Sequence, residues 1–160
     1  MSKAPARIFI TGSTDGLGRA AARALIDEGH QVVLHARSRE RAAALDDLAR
    51  RSAGLVVGDL GSAVETRSVA EQVNAIGGMD AVIHNAGAYA KMGGPGAPDD
   101  FEMGYLTQTW LATSDEPTAT VSGRYWHHRR PHTPAGDVSD HRFQDQLSVT
   151  LAALTRVSLF

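Results

Sequence analysis

The sequence predicts an α/β fold, a doubly wound parallel sheet with helices on both faces, and three observations lead to it. Short β-branched or aromatic runs alternate with Ala/Leu-rich stretches of helical spacing. A glycine-rich turn stands where the first strand hands over to the first helix. Four βα units follow one another, and right-handed crossovers between such units give parallel strands.

The elements follow in order. Residues 7–11 (RIFIT) form the first predicted strand, ending at Gly12, and residues 16–28 (GLGRAAARALIDE) the first helix, closed by Gly29 as C-cap. QVVLHA (31–36) is a second strand, and RSRERAAALDDLARRS (37–52) reads as one helix begun by Ser38. LVVGD (55–59) is a third strand, residues 62–76 a helix with Ser62 as N-cap and Glu65 three residues on, and MDAVIHNAG (79–87) a fourth strand and turn. Residues 88–100 (AYAKMGGPGAPDD) carry three Gly and two Pro without periodicity and read as a loop. Beyond it, residues 101–114 are expected to form a helix burying Phe101, Tyr105, Leu106, Trp110 and Leu111. TVSGRYW (120–126) reads as a strand, residues 127–140 as irregular, and residues 141–157 as an amphipathic helix. The sheet is thus truncated after about four strands and followed by a helix–strand–helix appendage, with the division at 1–103 and 104–160.

At 160 residues the chain has the length of one domain. With 16 Lys+Arg against 18 Asp+Glu there is no basic surplus to suggest a nucleic-acid partner. Without Cys there is no disulfide, thiolate nucleophile or cysteine zinc site, and the short apolar run at the N-terminus is no signal peptide or membrane span. A soluble, cytoplasmic protein is expected.

The first turn, TGSTDGLG, places Thr11, Gly12, Gly16 and Gly18 in TGxxxGxG spacing between strand and helix. A tight turn needs backbone angles closed to other residues, a missing Cβ lets a pyrophosphate approach the main chain, and Gly18 permits close packing. The helix N-terminus adds unpaired N–H groups and a positive dipole end. Such a triplet also occurs as a turn without ligand, so its context matters.

TGSTDGLGRA, GDL at 58–60 and HNAG at 84–87 together resemble the three ordered N-terminal signatures of the short-chain dehydrogenase/reductase family, over roughly residues 5–103. The resemblance implies a Rossmann-type sheet and a dinucleotide cofactor. It places Gly12, Ser13, Thr14, Gly16, Leu17 and Gly18 at the phosphates, Asp59 at the adenine amino group with Leu60 beside it, and Asn85, Ala86 and Gly87 under the nicotinamide half. The plainer alternatives are that Asp59 caps the next helix and that Asn85 is a turn residue. NAD proteins want a carboxylate at the end of the second strand, and NADP proteins an Arg in its absence. Here Ala36 stands at that point and Arg37 follows, so NADP is expected over NAD.

The family's chemistry implies a Tyr as acid/base, a Lys four residues on, and an upstream Ser; the cation is needed because an unassisted phenol is a poor proton donor and acceptor at neutral pH. The chain has two Lys, Lys3 and Lys91, and no Tyr (Tyr89, Tyr105, Tyr125) has a Lys at the fourth following position. Tyr125 with Arg129 behind Ser122 is the nearest imitation, but along a strand four residues span roughly 13 Å against about 6 Å on a helix. Residues 104–131 and 143–155 resemble the far C-terminal region of the same family, as though its beginning were joined to its end near Asp100 to Gly104; unrelated sequence is the alternative. No catalytic residue and no metal ligand is therefore assigned. His127, His128 and His132 with Arg129 and Arg130 read as a solvated basic loop, adjacent strand histidines pointing to opposite faces.

The expectation is an NADP(H)-binding member of this oxidoreductase family, catalytically incomplete, that would take a carbonyl or alcohol only if active. The alternatives are a non-catalytic nucleotide binder or sensor, and a deletion product or misdrawn gene. At the exposed sheet edge either residues 120–126 are expected to pair as a substitute strand, or the edge drives self-association.

Overall fold

The computed structural model describes residues 4–87, 101–134 and 136–157, and the chain divides into two compact units, one ending at Val121 and one beginning at Ser122. The 88–100 segment, with Tyr89 and Lys91, and also Lys3, lie outside the described residues.

In the first unit β1 (Arg7–Ile10), β2 (Gln31–Ala36), β3 (Gly54–Val57) and β4 (Ala81–Ile83) form one parallel sheet in the order β3-β2-β1-β4. The helices are α1 (Gly16–Asp27), α2 (Arg39–Ala43), α3 (Asp46–Arg51), α4 (Ala63–Ile76) and α5 (Phe101–Thr113). Because strand side chains alternate between faces, Ile8, Ile10, Val32, Leu34 and Ile83 pack against Ala21, Ala22, Leu25 and Ile26 of α1. Phe9, Val33 and Val56 point the other way, onto Val69 and Val73 of α4. Helices on both faces and the outward reversal of strand order beside β1 make the sheet doubly wound, as expected.

The single helix expected over 37–52 is instead two. Ser38 does cap α2, accepting from the Arg41 amide at 3.3 Å, but the helix breaks at Ala44 and Leu45. The break turns Leu45 and Leu48 into the core with no exposure. Burying two leucines, at about 1.5–3 kcal/mol each, outweighs the roughly 0.5–1.5 kcal/mol of each backbone bond lost at the joint.

The open edge of β3 is covered by α4. Gln72 sets Oε1 against the Val57 amide at 3.1 Å and donates from Nε2 to the Val57 carbonyl at 2.9 Å, in place of a neighbouring strand. Ile76 of the same helix lies over Gly54, where a Cβ would meet its Cδ1 at 2.7 Å.

At the other edge β4 has no strand beyond it among the described residues. A right-handed crossover from β4 to a strand outside it would carry its helix over the α4 face. α5 lies on the opposite face: Tyr105 and Ala112 pack into the α1 core, and a Cβ on Gly104 would meet Leu17 Cδ2 at 2.8 Å. Val82, on the face that a crossover helix would cover, is 46% exposed.

The residues expected to anchor α5 need one correction. Tyr105, Leu106 and Trp110 are half-buried, but Leu111 is 38% exposed and Thr109, 4% exposed, takes the interior position. Burial costs Thr109 little because its hydroxyl donates to the Leu106 carbonyl at 3.1 Å. The side chain of Phe101 lies outside the described residues.

In the second unit β5 (Tyr125–His127) and β6 (Arg130–His132) form an antiparallel hairpin, followed by a short 3-10 turn (Gly136–Ser139) and α6 (His141–Thr155). Asp140 caps α6, accepting from the Arg142 amide at 2.9 Å. The strand expected over 120–126 is shorter and shifted, and its partner comes from a stretch expected to be irregular. His128 and Arg129 make the connection with φ of 50° and 60°, the doubly left-handed geometry that matches the twist of a two-residue hairpin. The apolar residues of α6, Phe143, Leu147, Leu151 and Leu154, are exposed.

Candidate functional site

The turn after β1 is fixed from both sides before any ligand is considered. The Thr11 amide donates to the Ile83 carbonyl at 3.0 Å, and Thr11 Oγ1 accepts from the Ala86 amide at 2.9 Å. Asn85 Nδ2 donates to the carbonyls of Thr11 and Gly12 at 3.0 and 3.1 Å. From the β2 side, the Ser13 amide donates to the His35 carbonyl at 3.2 Å, and Ser13 Oγ accepts from the His35 amide at 2.8 Å.

Gly12 and Gly16 have φ of +64° and +53°, a region that side chains rarely enter. Open space surrounds the missing Cβ of Gly16, with no atom within 4 Å, whereas a Cβ on Gly18 would lie 2.4 Å from Asn85 Nδ2 and from the Gly12 carbonyl. The glycines therefore divide their tasks: Gly16 leaves the main chain approachable and Gly18 lets α1 seat on the end of β4. Asp15 starts α1, its carboxylate accepting from the Gly16 amide at 2.8 Å.

Around this turn opens a cleft of about 800 Å³ at the carboxyl ends of the strands. Gly12, Thr14, Gly16 and Leu17 line it from the turn, Arg37 from the end of β2, Asp59 and Leu60 from the end of β3, and Asn85, Ala86 and Gly87 from the end of β4. These segments, far apart in sequence, meet where the strand order reverses, the usual ligand position of an open α/β sheet. Two of the residues singled out from sequence do not face it. Ser13 is fully buried and spent on His35, and Gly18 acts by packing.

Asp59 is held by its own turn: its amide donates to Glu65 Oε2 at 2.8 Å and its Oδ1 accepts from the Gly61 amide at 2.9 Å. It does not cap α4, a task done by Ser62, whose Oγ accepts from the Glu65 amide at 3.4 Å. Arg37 is exposed and has no ion-pair partner among the described residues, and Ala36 before it is fully buried. On its far side Arg37 also lines a second cleft, of about 660 Å³, with Ser38, Arg39 and Gly58. In α2 the Ser38 hydroxyl, hydrogen-bonded to Glu40, holds that carboxyl below its usual range.

Sequence reasoning missed four residues of the first cleft: Asp15, His35, Arg41 and Gly61. Arg41 reaches back to Asp15, Nη2 to Oδ2 at 3.8 Å, across the mouth of the cleft. His35 had a signal, a polar side chain inside the apolar run of β2, because a buried ring must find hydrogen-bond partners.

The remaining candidates lie elsewhere. Tyr125 stands on β5, 56% exposed, with Arg129 in the hairpin turn, so the two do not share a helical face. The expectation that His127 and His128 point apart is corrected: His128 is in the turn rather than on the strand, and its ring centroid lies 3.8 Å from that of His127, which in turn lies 5.3 Å from that of His132. Among the described residues no group of His, Cys, Asp or Glu is arranged to hold a metal ion, and no helix is long and apolar enough to cross a membrane.

Comparison with known proteins agrees with this geometry. The family model for short chain dehydrogenase matches residues 6–103, more than half of the chain. The short-chain dehydrogenase chyC of Penicillium rubens is 57% identical over 82 residues, which cover 51% of this chain and 32% of that protein. An uncharacterized oxidoreductase of Emericella nidulans is 52% identical over 81 residues, with the same coverage. The match thus spans about a third of the length of these relatives. Among solved structures, an NADPH-bound short chain oxidoreductase of Pseudomonas aeruginosa PAO1, described as containing an atypical catalytic center, is 30% identical with a TM-score of 0.47, covering 52% of this chain and 35% of its own. By the extent of the family match, the chain belongs to the short chain dehydrogenase family of oxidoreductases, whose members bind a nicotinamide dinucleotide.

Proposed function

We propose that this chain binds NADP(H) in the cleft around the glycine turn and does not itself complete the family's hydride-transfer reaction. The carrying observation is the pair at the end of β2: Ala36, buried and without a carboxylate, followed by Arg37, exposed toward the cleft and free of any acidic partner among the described residues. A ribose 2′-phosphate would replace that missing acid and accept charge-assisted hydrogen bonds from Arg37. Arg41, held against Asp15, is the second cation at the same mouth.

The residues fit the rest of the nucleotide. The open space at Gly16 admits the pyrophosphate to the start of α1, where backbone dipoles favour negative charge. Asp59 would face the adenine, and Asn85, Ala86 and Gly87 would form the floor beneath the nicotinamide, with Asn85 held in place by its bonds to the turn. The nicotinamide supplies a hydride when bound. A carbonyl or alcohol substrate would also need a proton delivered or removed at its oxygen, a contribution of about a hundred- to ten-thousand-fold. No Tyr in the sequence has a Lys at the fourth following position, the spacing that tunes that proton in the family.

A second reading, a nucleotide binder or sensor without an enzymatic role, is favoured by α5. The helix occupies the α1 face rather than the position from which a crossover would extend the sheet. Two measurements test these readings. Calorimetry is expected to show NADPH binding at least tenfold tighter than NADH, and equal affinities would refute the NADP assignment. Spectrophotometric NADPH oxidation against aldehydes, ketones and quinones is expected to stay at background; turnover abolished by Tyr125→Phe would refute the reading that the chain is catalytically incomplete.

A further inference from the structure

His35 sits at the end of β2 with 2% of its surface exposed, and its ring spans two walls of the cleft. Nδ1 lies 2.9 Å from the Gly12 amide and Nε2 lies 2.9 Å from the Gly58 carbonyl. An amide N–H only donates and a carbonyl only accepts, so one arrangement satisfies both: Nδ1 bare, Nε2 carrying the proton. The ring is further held edge-on to Phe9, with centroids 6.4 Å apart and planes at 85°.

We propose that His35 is the positioning residue that clamps the phosphate-facing turn to the adenine-facing wall, setting the separation of the two halves of the cleft in advance of the ligand. Gly12 is the residue of the turn with φ of +64° that the ring holds, and Gly58 directly precedes Asp59. Through its main chain the same residue also ties down Ser13, so one position of β2 fixes two consecutive residues of the turn. Without the ring the Gly12 amide would lose its acceptor, and the turn would be free to reorder before each binding event, which lowers affinity by the fraction of time spent in the wrong shape. The nucleotide part of this inference rests on the cleft reading given above.

Three variants separate the two bonds from mere space-filling. His35→Asn places an amide oxygen near Nδ1 and loses the reach to Gly58, His35→Gln reaches toward Gly58 and gives up the Gly12 acceptor, and His35→Phe fills the volume with neither. Two readouts apply: hydrogen exchange of the Gly12 amide in the ligand-free protein, and NADPH affinity by calorimetry. The unsubstituted chain and His35→Asn are expected to protect Gly12, while His35→Gln and His35→Phe exchange it about tenfold faster and bind NADPH about tenfold more weakly. Equal Gly12 exchange in the unsubstituted chain and His35→Phe, or unchanged NADPH affinity in both His35→Gln and His35→Phe, would overturn the clamp while leaving the cleft reading intact. An unsubstituted chain that protects Gly12 yet binds no NADPH would overturn the cleft reading and the nucleotide part of this inference, with the clamp on the turn upheld.

Discussion

Replacing Gly18 by Ala puts a methyl group 2.4 Å from both Asn85 Nδ2 and the Gly12 carbonyl. The carbonyl is backbone, fixed by the turn, so the side chain of Asn85 or the start of α1 has to move. Overpacking of this kind costs about 1–3 kcal/mol, and displacing Asn85 forfeits its bonds to Thr11 and Gly12, together about 1–3 kcal/mol. The better helix propensity of Ala returns roughly 1 kcal/mol. The net loss is expected near 3 kcal/mol, a large share of the about 5–15 kcal/mol that holds an ordinary domain together. Urea denaturation followed by circular dichroism reads it as a lowered midpoint at unchanged slope. Gly16→Ala is the control: with open space around its Cβ, it bears only the left-handed backbone cost of about 1–2 kcal/mol, yet its methyl stands where the phosphates would approach. It should remain folded and lose NADPH affinity. A Gly18→Ala protein as stable as the parent, or a Gly16→Ala protein that binds NADPH as well as the parent, would refute this division of tasks.

Arg37→Ala is expected to weaken NADPH binding about tenfold, the lower end for a bond to a charged group because Arg37 is exposed and Arg41 remains. NADH binding should move less than twofold, and equal losses for both nucleotides in calorimetry would count against the 2′-phosphate assignment. Val82→Lys puts a charge on the uncovered face of β4 and should reduce concentration-dependent association in analytical ultracentrifugation; unchanged association would place the contact elsewhere. Asp47 is held below the ordinary aspartate value of 3.8 by the Leu48 amide first and then by Arg19 and Arg23. Its stabilising contribution is therefore present above pH 3.8 and lost as the pH falls through the lower folded value. Denaturation midpoints of Asp47→Asn should accordingly lie below the parent's at neutral pH and converge with them in acid.

What could be read from the sequence was whatever the backbone itself demands. Gly12 and Gly16 mark left-handed turns, and the start of α4 followed from Ser62 and Glu65, because each feature needs only its immediate neighbours. The break inside 37–52 was hidden because it depends on Leu45 and Leu48 finding the α1 core, a long-range gain that local helix propensity does not contain. Ser13 reads like a phosphate-turn residue, yet only its contact with His35 shows that it is spent on β2. The hairpin at 125–132 was missed because its turn uses His128 and Arg129 rather than the Asn or Gly that such angles favour.

The sheet has two unlike borders, and that gives its assembly a limit. Gln72 and Ile76 cover the β3 border from α4, so among the described residues the four-stranded sheet offers its β4 border for pairing with another copy. A contact made by the same border on both partners is closed by a two-fold axis. Such a contact uses up the β4 border on each side, so pairing through this border of the four-stranded sheet closes as a dimer instead of propagating as a fibre.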